Sequence, residues 1–337
     1  MRCYWGALAF VLGSVLSAVG QCEINLPSRI AGEGFAFALI GDLPYGEGQV
    51  KDFDGLIEAI NRDPSIRFVL HAGDIKGGGE RCDDELILSR FRQFQKFQRA
   101  FIYTPGDNEW TDCHRPSNGR YYPLERLDFL RRTFFPHSAR STGAQPIAVL
   151  SQASFPGFEP FVENVLFSRS GVLFGTLHVV GSNNDLEPWS GFDPKDSAQT
   201  PRPDRIAEFE QRLQATLAWL DVIFAHARQQ SAKGVFLLMQ ANPRFELGET
   251  DPGRAGFNAF LSHLKERVAG FDKPVVLAHG DFHEYLIDKP FDREEPRLAN
   301  FTRIQTFGSP RVNWIKVHVV PHSPSLFVFE QKILEKR

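Results

Sequence analysis

Three observations predict an α/β fold built on two sheets. Short apolar, β-rich runs alternate with amphipathic helical patterns, four of those runs stop at Gly-Asp, and the chain closes on two apolar runs with no helix between them. The first run, FAFALI at 35–40, is continuous and of strand length. Residues 50–61 follow as a helix with Phe53, Leu56, Ile57 and Ile60 on one face, and 66–72 is the next buried strand. Asp83 and Asp84 signal a helix start, and 86–98 carries Leu86, Leu88, Phe91, Phe94 and Phe97 at near-helical spacing before a third strand at 101–104. The Pro/Gly/Ser-rich stretch 115–160 predicts an irregular rim interrupted by a helix at 124–134. Runs at 165–167 and 172–180 predict a hairpin around Ser168, Arg169, Ser170 and Gly171, and the polar GSNNDLEPW at 181–189 either lines the cleft or, as strand exits usually do, forms a turn. The longest helical pattern, 205–228, has a charged face and an apolar stripe suited to lying on a sheet. Strand 235–239, helix 255–268 and strand 275–278 continue the alternation, and 312–320 and 326–330 predict antiparallel strands. No repeat or linker divides residues 21–337, so one domain is expected.

Composition narrows the function classes. The 38 basic and 41 acidic residues leave a net charge of -3, which gives no electrostatic basis for a nucleic-acid or anionic-membrane partner. With 31 Phe against 2 Met, the core is expected to be aromatic. The N-terminus, MRCYWGALAFVLGSVLSAVGQ, has one early positive charge, an apolar stretch and the small residues Ala18 and Gly20, the pattern of a signal peptide over 1–20 cleaved after Gly20. A secreted or periplasmic protein is therefore expected. The apolar stretch falls short of the roughly 20 residues of a spanning helix, so no stable membrane insertion is expected. Gln21 is too large for a good lipid-attachment signal at Cys22, which leaves that cysteine odd. Cys82 and Cys113 lie in the polar segments after the second and third Gly-Asp; in an oxidising compartment they form a disulfide, and in a reducing one they remain thiols.

The sequence has four Gly-Asp pairs, ending at Asp42, Asp74, Asp107 and Asp281. In open α/β sheets, ligands bind beyond the carboxyl ends of the strands, so four carboxylates delivered there converge on one site. Clustered carboxylates either neutralise or hold a cation. In LAHGDFHEY, His279, Asp281 and His283 recur with period two, so an extended segment projects them to one side, and carboxylate with imidazole suits Zn, Fe or Mn.

The ordered set GDLPY, AGDIK, PGDNEW and HGDFH resembles the calcineurin-like metallophosphoesterases, a superfamily that includes the purple acid phosphatases. The resemblance implies a four-layer α/β/β/α sandwich of two mixed sheets and a hydrolase acting on phosphate ester bonds through two divalent ions. It implies that Asp42 binds the first ion, Asp74 bridges both, Asp107 replaces the family's second-site Asn, and His283 matches the last His. Tyr45 matches a tyrosine ligand only loosely. The chain departs from the family's signatures at several positions. Pro44 stands where Asp-x-His needs its His, and Asn108 stands at the proton-donating His, where it cannot act as an acid. The lone His is absent, leaving Gln240 or Asn242, and Asp281 replaces the first His of the last motif, with His279 two residues earlier. Oxygen donors in place of nitrogen shift the preference toward harder ions such as Mg. Leaving-group protonation then falls to His114, His71, water, or a leaving group acidic enough to depart alone. Arg81 and Arg115 flank this edge and either clamp a phosphate or pair with Asp83, Asp84 or Asp112.

The expected substrate is a small phosphate ester, with a ligand-binding pseudoenzyme as the alternative. Other hydrolase classes are disfavoured because the chain has no Gly-x-Ser-x-Gly elbow, no P-loop and no Asp-x-Asp pair after the first strand.

Overall fold

The computed structural model describes residues 33–293 and 297–334; the 1–20 segment, its cleavage point and Cys22 lie outside them. Strands β1 (Phe35–Ile40), β2 (Ile66–His71) and β3 (Ala100–Tyr103) run parallel in one sheet. The chain returns at its end to add β11 (Trp314–Val319) antiparallel to β1 and β12 (Phe327–Lys332) beyond it, giving the order β12-β11-β1-β2-β3.

The second sheet has seven strands in the order β4-β5-β6-β7-β8-β10-β9. These are β4 (Leu150–Ser151), β5 (Val165–Arg169), β6 (Val172–Thr176), β7 (Gly234–Leu238), β8 (Val275–His279), β9 (Leu286–Asp288) and β10 (Phe301–Gln305). The β5–β6 hairpin closes through Ser170 and Gly171 at φ 52° and 82°, the positive pair that a two-residue turn needs.

Helices α1 (Gly46–Arg62), α2 (Asp84–Phe94) and α3 (Pro123–Phe134) cover the outer face of the first sheet. Helices α4 (Pro203–Gln229) and α5 (Asn258–Ala269) cover that of the second. Between the sheets the phenylalanines interlock: Phe37 stacks on Phe68 at 4.9 Å and meets Phe174 and Phe236 edge-on at 5.4 and 5.0 Å. The result is the four-layer sandwich, with mixed strand directions in both sheets.

The structure departs from the sequence expectation at five elements. Strands β4, β9 and β10 were not anticipated. In β10, FTRIQ hides its strand character behind Arg303, whose Nε is neutralised by Asp288 Oδ1 of β9 at 2.7 Å. The helix expected at 255–268 begins as a 3₁₀ turn at Pro252–Phe257, and α2 stops at Phe94 rather than continuing to 98. Cys82 and Cys113, separated by 31 residues, form a disulfide with Cα atoms 5.7 Å apart. Among the described residues no helix is long and apolar enough to cross a membrane.

Candidate metal centre

The four Gly-Asp pairs sit just beyond the carboxyl ends of β1, β2, β3 and β8, and the glycines explain how their aspartates come together. A methyl group on Gly106 would lie 2.1 Å from Asp74 Oδ1, one on Gly280 2.3 Å from Asp42 Oδ2, and one on Gly181 2.5 Å from Asp107 Oδ2. Each of these glycines yields the space its Cβ would fill to the carboxylate of a different loop, and Gly280 and Gly181 do so across the two sheets. Asp42, Asp74, Asp281 and His283 have φ of 55°, 56°, 79° and 62°, a left-handed conformation that Asp tolerates better than most residues. Such backbone outliers persist where surrounding contacts over-determine them.

Asp74 is the hub. The Asn108 backbone N–H donates to its Oδ1 at 3.2 Å, and the Asn108 side-chain amide donates to its Oδ2 at 2.8 Å. The Tyr45 hydroxyl lies 3.2 Å from the same Oδ2 and 3.3 Å from His283 Nε2. Nδ1 of His283 faces the Ser309 carbonyl at 2.7 Å; a carbonyl only accepts, so Nδ1 carries the proton and Nε2 presents its lone pair 3.7 Å from Asp42 Oδ1. Asp42 accepts from the Asp281 backbone N–H at 2.9 Å and from the Thr306 hydroxyl at 3.2 Å. Glu109 Oε1 ties the loops by accepting from the N–H of Asp74 at 3.1 Å, the N–H of Gly106 at 2.7 Å and the hydroxyl of Tyr103 at 2.6 Å. The Cys82 and Cys113 sulfurs lie 3.6 and 3.7 Å from the Asn108 carbonyl, so the disulfide braces this loop.

On the other side of the centre, Asp107 accepts from Gln240 Nε2 and from the Ser182 hydroxyl, both at 3.0 Å, and Asp281 Oδ2 accepts from the Asn242 backbone N–H at 3.0 Å. Ser182 belongs to the turn Gly181–Asp185, where Ser182, Asn183 and Asn184 are left-handed at φ 51°, 53° and 56°.

Burial and then mutual repulsion dominate the electrostatics. Burial, with the charge of Asp281, lifts Asp42 well above the usual carboxylate range; burial, with the charges of Asp107 and Glu109, does the same to Asp74. Asp281 is pushed up to about 7 by loss of hydration and by Asp107. Lys76, itself buried, donates to the Gly77 carbonyl at 3.0 Å and is pulled below its usual range by burial, so it only partly offsets these charges.

Among the described residues no group of three or more His, Cys, Asp and Glu side chains stands as a ready-made metal cage. In donor chemistry the set fits a divalent cation: buried carboxylates that repel one another, an imidazole lone pair turned toward them, and glycines cut back to admit them.

Several expected site residues lie elsewhere. The period-two projection of His279, Asp281 and His283 does not hold, because positive φ at Asp281 and His283 breaks the extended geometry. The His279 ring instead contacts the Gly280 carbonyl at 2.9 Å and is pushed down to about 3 by burial, with Arg303 and Asp288 as its charged neighbours. His114 Nδ1 accepts from the Gly191 N–H at 3.1 Å, and burial and Arg115 push the ring down to about 4. His71 is committed at both nitrogens, accepting from the Gly73 N–H at 3.1 Å and donating to the Leu43 carbonyl at 3.0 Å. Arg81 forks Asp83 at 2.9 and 3.1 Å, and Arg115 pairs with Asp112 at 2.6 Å. Ser182, Thr306 and Glu109 were not expected at the site. Glu109 had a sequence signal as the acidic end of the Gly-Asp-Asn-Glu motif and Ser182 in its run of residues tolerant of left-handed turns; Thr306 had none.

A family model described as Calcineurin-like phosphoesterase matches residues 35–315. Among solved structures the chain is similar to PhoD at 12% identity and a TM-score of 0.52, covering 88% of this chain and 66% of that one, just under two thirds of its length. It is also similar to GAP50, the anchor in the inner membrane complex of Plasmodium, at 10% identity and a TM-score of 0.49, covering 90% of each chain. A third similar structure is phosphopantetheinyl hydrolase (PptH) from Mycobacterium tuberculosis, at 14% identity and a TM-score of 0.46, covering 84% of this chain and 92% of that one. At these identities the likeness is one of fold. No curated protein matches the sequence.

Proposed function

The chain belongs to the calcineurin-like phosphoesterase family, a family of phosphate-ester hydrolases, and from that premise we propose that it is an exported, metal-dependent phosphoesterase. The observation that carries this reading is the meeting of Asp42, Asp74, Asp107 and Asp281, with glycines at the contact points and carboxyls that repel one another until a cation joins them. Asp42, Asp74 and His283, with Tyr45 beside them, would hold one ion. Asp74, Asp107 and Asp281, with Gln240, would hold a second. Bound divalent ions supply a hydroxide nucleophile at neutral pH and neutralise phosphoryl charge.

The protein's own residues set the rest. His283 is held by Ser309 with its lone pair toward Asp42, where it would be available to an ion, and Glu109 fixes the loops of Asp74 and Asp107 relative to one another. Asn108 stands against Asp74 as a hydrogen-bond donor with no proton to give up, so the chemistry favours acidic leaving groups that depart unprotonated. A second reading, a protein that binds phosphate esters without turnover, is favoured by that same Asn108 and by the Gln240 and Ser182 donors that occupy Asp107.

The test is hydrolysis of aryl phosphate mono- and diesters by the purified protein with Mn, Zn, Fe or Mg, beside Asp74→Ala. Metal-dependent turnover abolished in the variant is expected. No turnover with any of these ions, or turnover unchanged in the variant, overturns the hydrolase reading. Mass spectrometry of the exported protein checks cleavage after Gly20.

A further inference from the structure

At the rim of the carboxylate centre one cation is stacked on an aromatic ring and half-exposed. The Arg244 guanidinium carbon lies over the Phe282 ring, 4.4 Å from its centroid. Phe282 sits between Asp281 and His283 and is 40% exposed. The Arg244 side chain is 39% exposed, and its ion-pair partner, Glu246, stands at 3.6 Å, beyond hydrogen-bond length. The backbone that presents it is constrained. Arg244 has φ 58°, a conformation Arg rarely adopts, and is held there by its N–H donating to Asn242 Oδ1 at 2.9 Å. Asn242 in turn is fastened to the centre, its N–H on Asp281 Oδ2 at 3.0 Å and its amide on Gln305 Oε1 at 3.1 Å. The charge of Arg244 reaches Asp281, whose carboxyl it draws down against the larger effect of burial.

An arginine stacked on an aromatic face keeps its N–H edges free in the plane of the guanidinium, the arrangement suited to gripping two phosphate oxygens at once. Other cations near the centre are engaged elsewhere: Arg81 with Asp83, Arg115 with Asp112, Arg311 with the His283 carbonyl at 3.3 Å, and Lys76 in burial. We propose that Arg244, fixed on Phe282, binds the phosphoryl oxygens of the substrate and selects phosphate monoesters over diesters. This rests on the phosphoesterase reading above. The selection follows from charge, since a monoester dianion presents a larger charge and one more free oxygen to the guanidinium than a diester monoanion does.

The experiment compares wild type with Arg244→Ala, Arg244→Lys, Phe282→Ala and Phe282→Tyr. In Arg244→Ala, kcat/KM for an aryl phosphate monoester should fall about 10- to 100-fold, the worth of a charge-assisted hydrogen-bond pair, with a smaller fall for the matching diester. Lys should fail to restore the difference, because it cannot stack or fork. Phe282→Ala should move the same way, and Phe282→Tyr should not. Calorimetry with inorganic phosphate, run with and without metal, provides a readout independent of turnover: weaker phosphate binding in Arg244→Ala supports the assignment even in a protein that does not hydrolyse esters. Unchanged phosphate affinity together with an unchanged monoester-to-diester ratio overturns it, while the Asp74→Ala result continues to judge the hydrolase reading separately.

Discussion

Gly106 shows why the Gly-Asp spacing matters at the scale of single residues. Its Cβ would sit 2.1 Å from Asp74 Oδ1 and 2.5 Å from Asp74 N, so the backbone itself is in the way and no rotamer change relieves it. Gly106→Ala should therefore push Asp74 out of place. The expected outcome is a loss of about 1–3 kcal/mol in urea denaturation, as for overpacked sites, together with at least a tenfold loss in Mn affinity by calorimetry. Gly55→Ala on α1, where nothing lies within 4 Å, is the control expected to leave metal affinity unchanged. The aspartates were legible in the sequence because each follows its strand directly. Their partners were not. Thr306, Ser182 and Arg244 reach the centre from loops far along the chain, so only the tertiary structure brings them together. The expectation for His279 failed for a related reason: strand alternation ends where Asp281 turns left-handed, and a sequence pattern cannot register that.

At the scale of elements, the β-rich runs before Gly-Asp were legible because they are apolar on both faces, as buried parallel strands must be. Strand β10 was not, because Arg303 and its partner Asp288 make a buried strand look like a surface loop. Helix α4 was expected to lie on a sheet with its charged face outward, yet its Arg212 is fully buried and braces the left-handed turn beside Asp107. That guanidinium donates to the Asn184 carbonyl at 3.1 Å, to Asn184 Oδ1, and to both oxygens of Glu208 at 2.7 and 3.0 Å. Four consecutive residues, Ser182 to Asp185, sit at positive φ, and left-handed backbone costs roughly 1–2 kcal/mol per residue, so the turn depends on such bracing. Arg212→Met should destabilise the protein by about 3–5 kcal/mol, because it leaves Glu208 without its cation. Hydrogen exchange should rise at 181–185 before it rises in the β6–β7 strands, and an unchanged exchange pattern there would remove Arg212 from any role in holding Ser182.

For the whole molecule, stability against pH should reveal the carboxylate centre. The buried imidazoles His71 and His114, pushed down to about 4, and His279, pushed down to about 3, are neutral in the fold but take up protons when unfolded below about 6.5. Stability therefore rises with pH up to that point. Buried Glu163 works in the same direction at lower pH: Arg131 and His178 overcome its burial and hold it at about 2, so its contribution is lost as the pH falls from about 4.5 toward 2. The clustered aspartates oppose both. Asp281, at about 7 in the fold, and Asp42 and Asp74, also raised, keep protons that the unfolded chain has released above about 4, so they weaken the metal-free fold as pH rises. Above about 6.5 the imidazole contribution is complete; Lys76, pulled down by burial, opposes the downward slope, and Glu109, raised by burial, adds to that of the aspartates. A divalent ion reverses their sign, since it binds the deprotonated carboxylates and is bound more tightly as they lose their protons. The Tm of chelated protein should thus fall from pH 6.5 to pH 8, and the gap between metal-loaded and chelated protein should widen over the same range. In Asp74→Asn, which removes one of the competing charges, the chelated fall should be shallower and the metal gap smaller. A gap that stays constant with pH, or a chelated Tm that keeps rising above pH 7, would mean that these carboxylates neither repel one another in the fold nor share an ion.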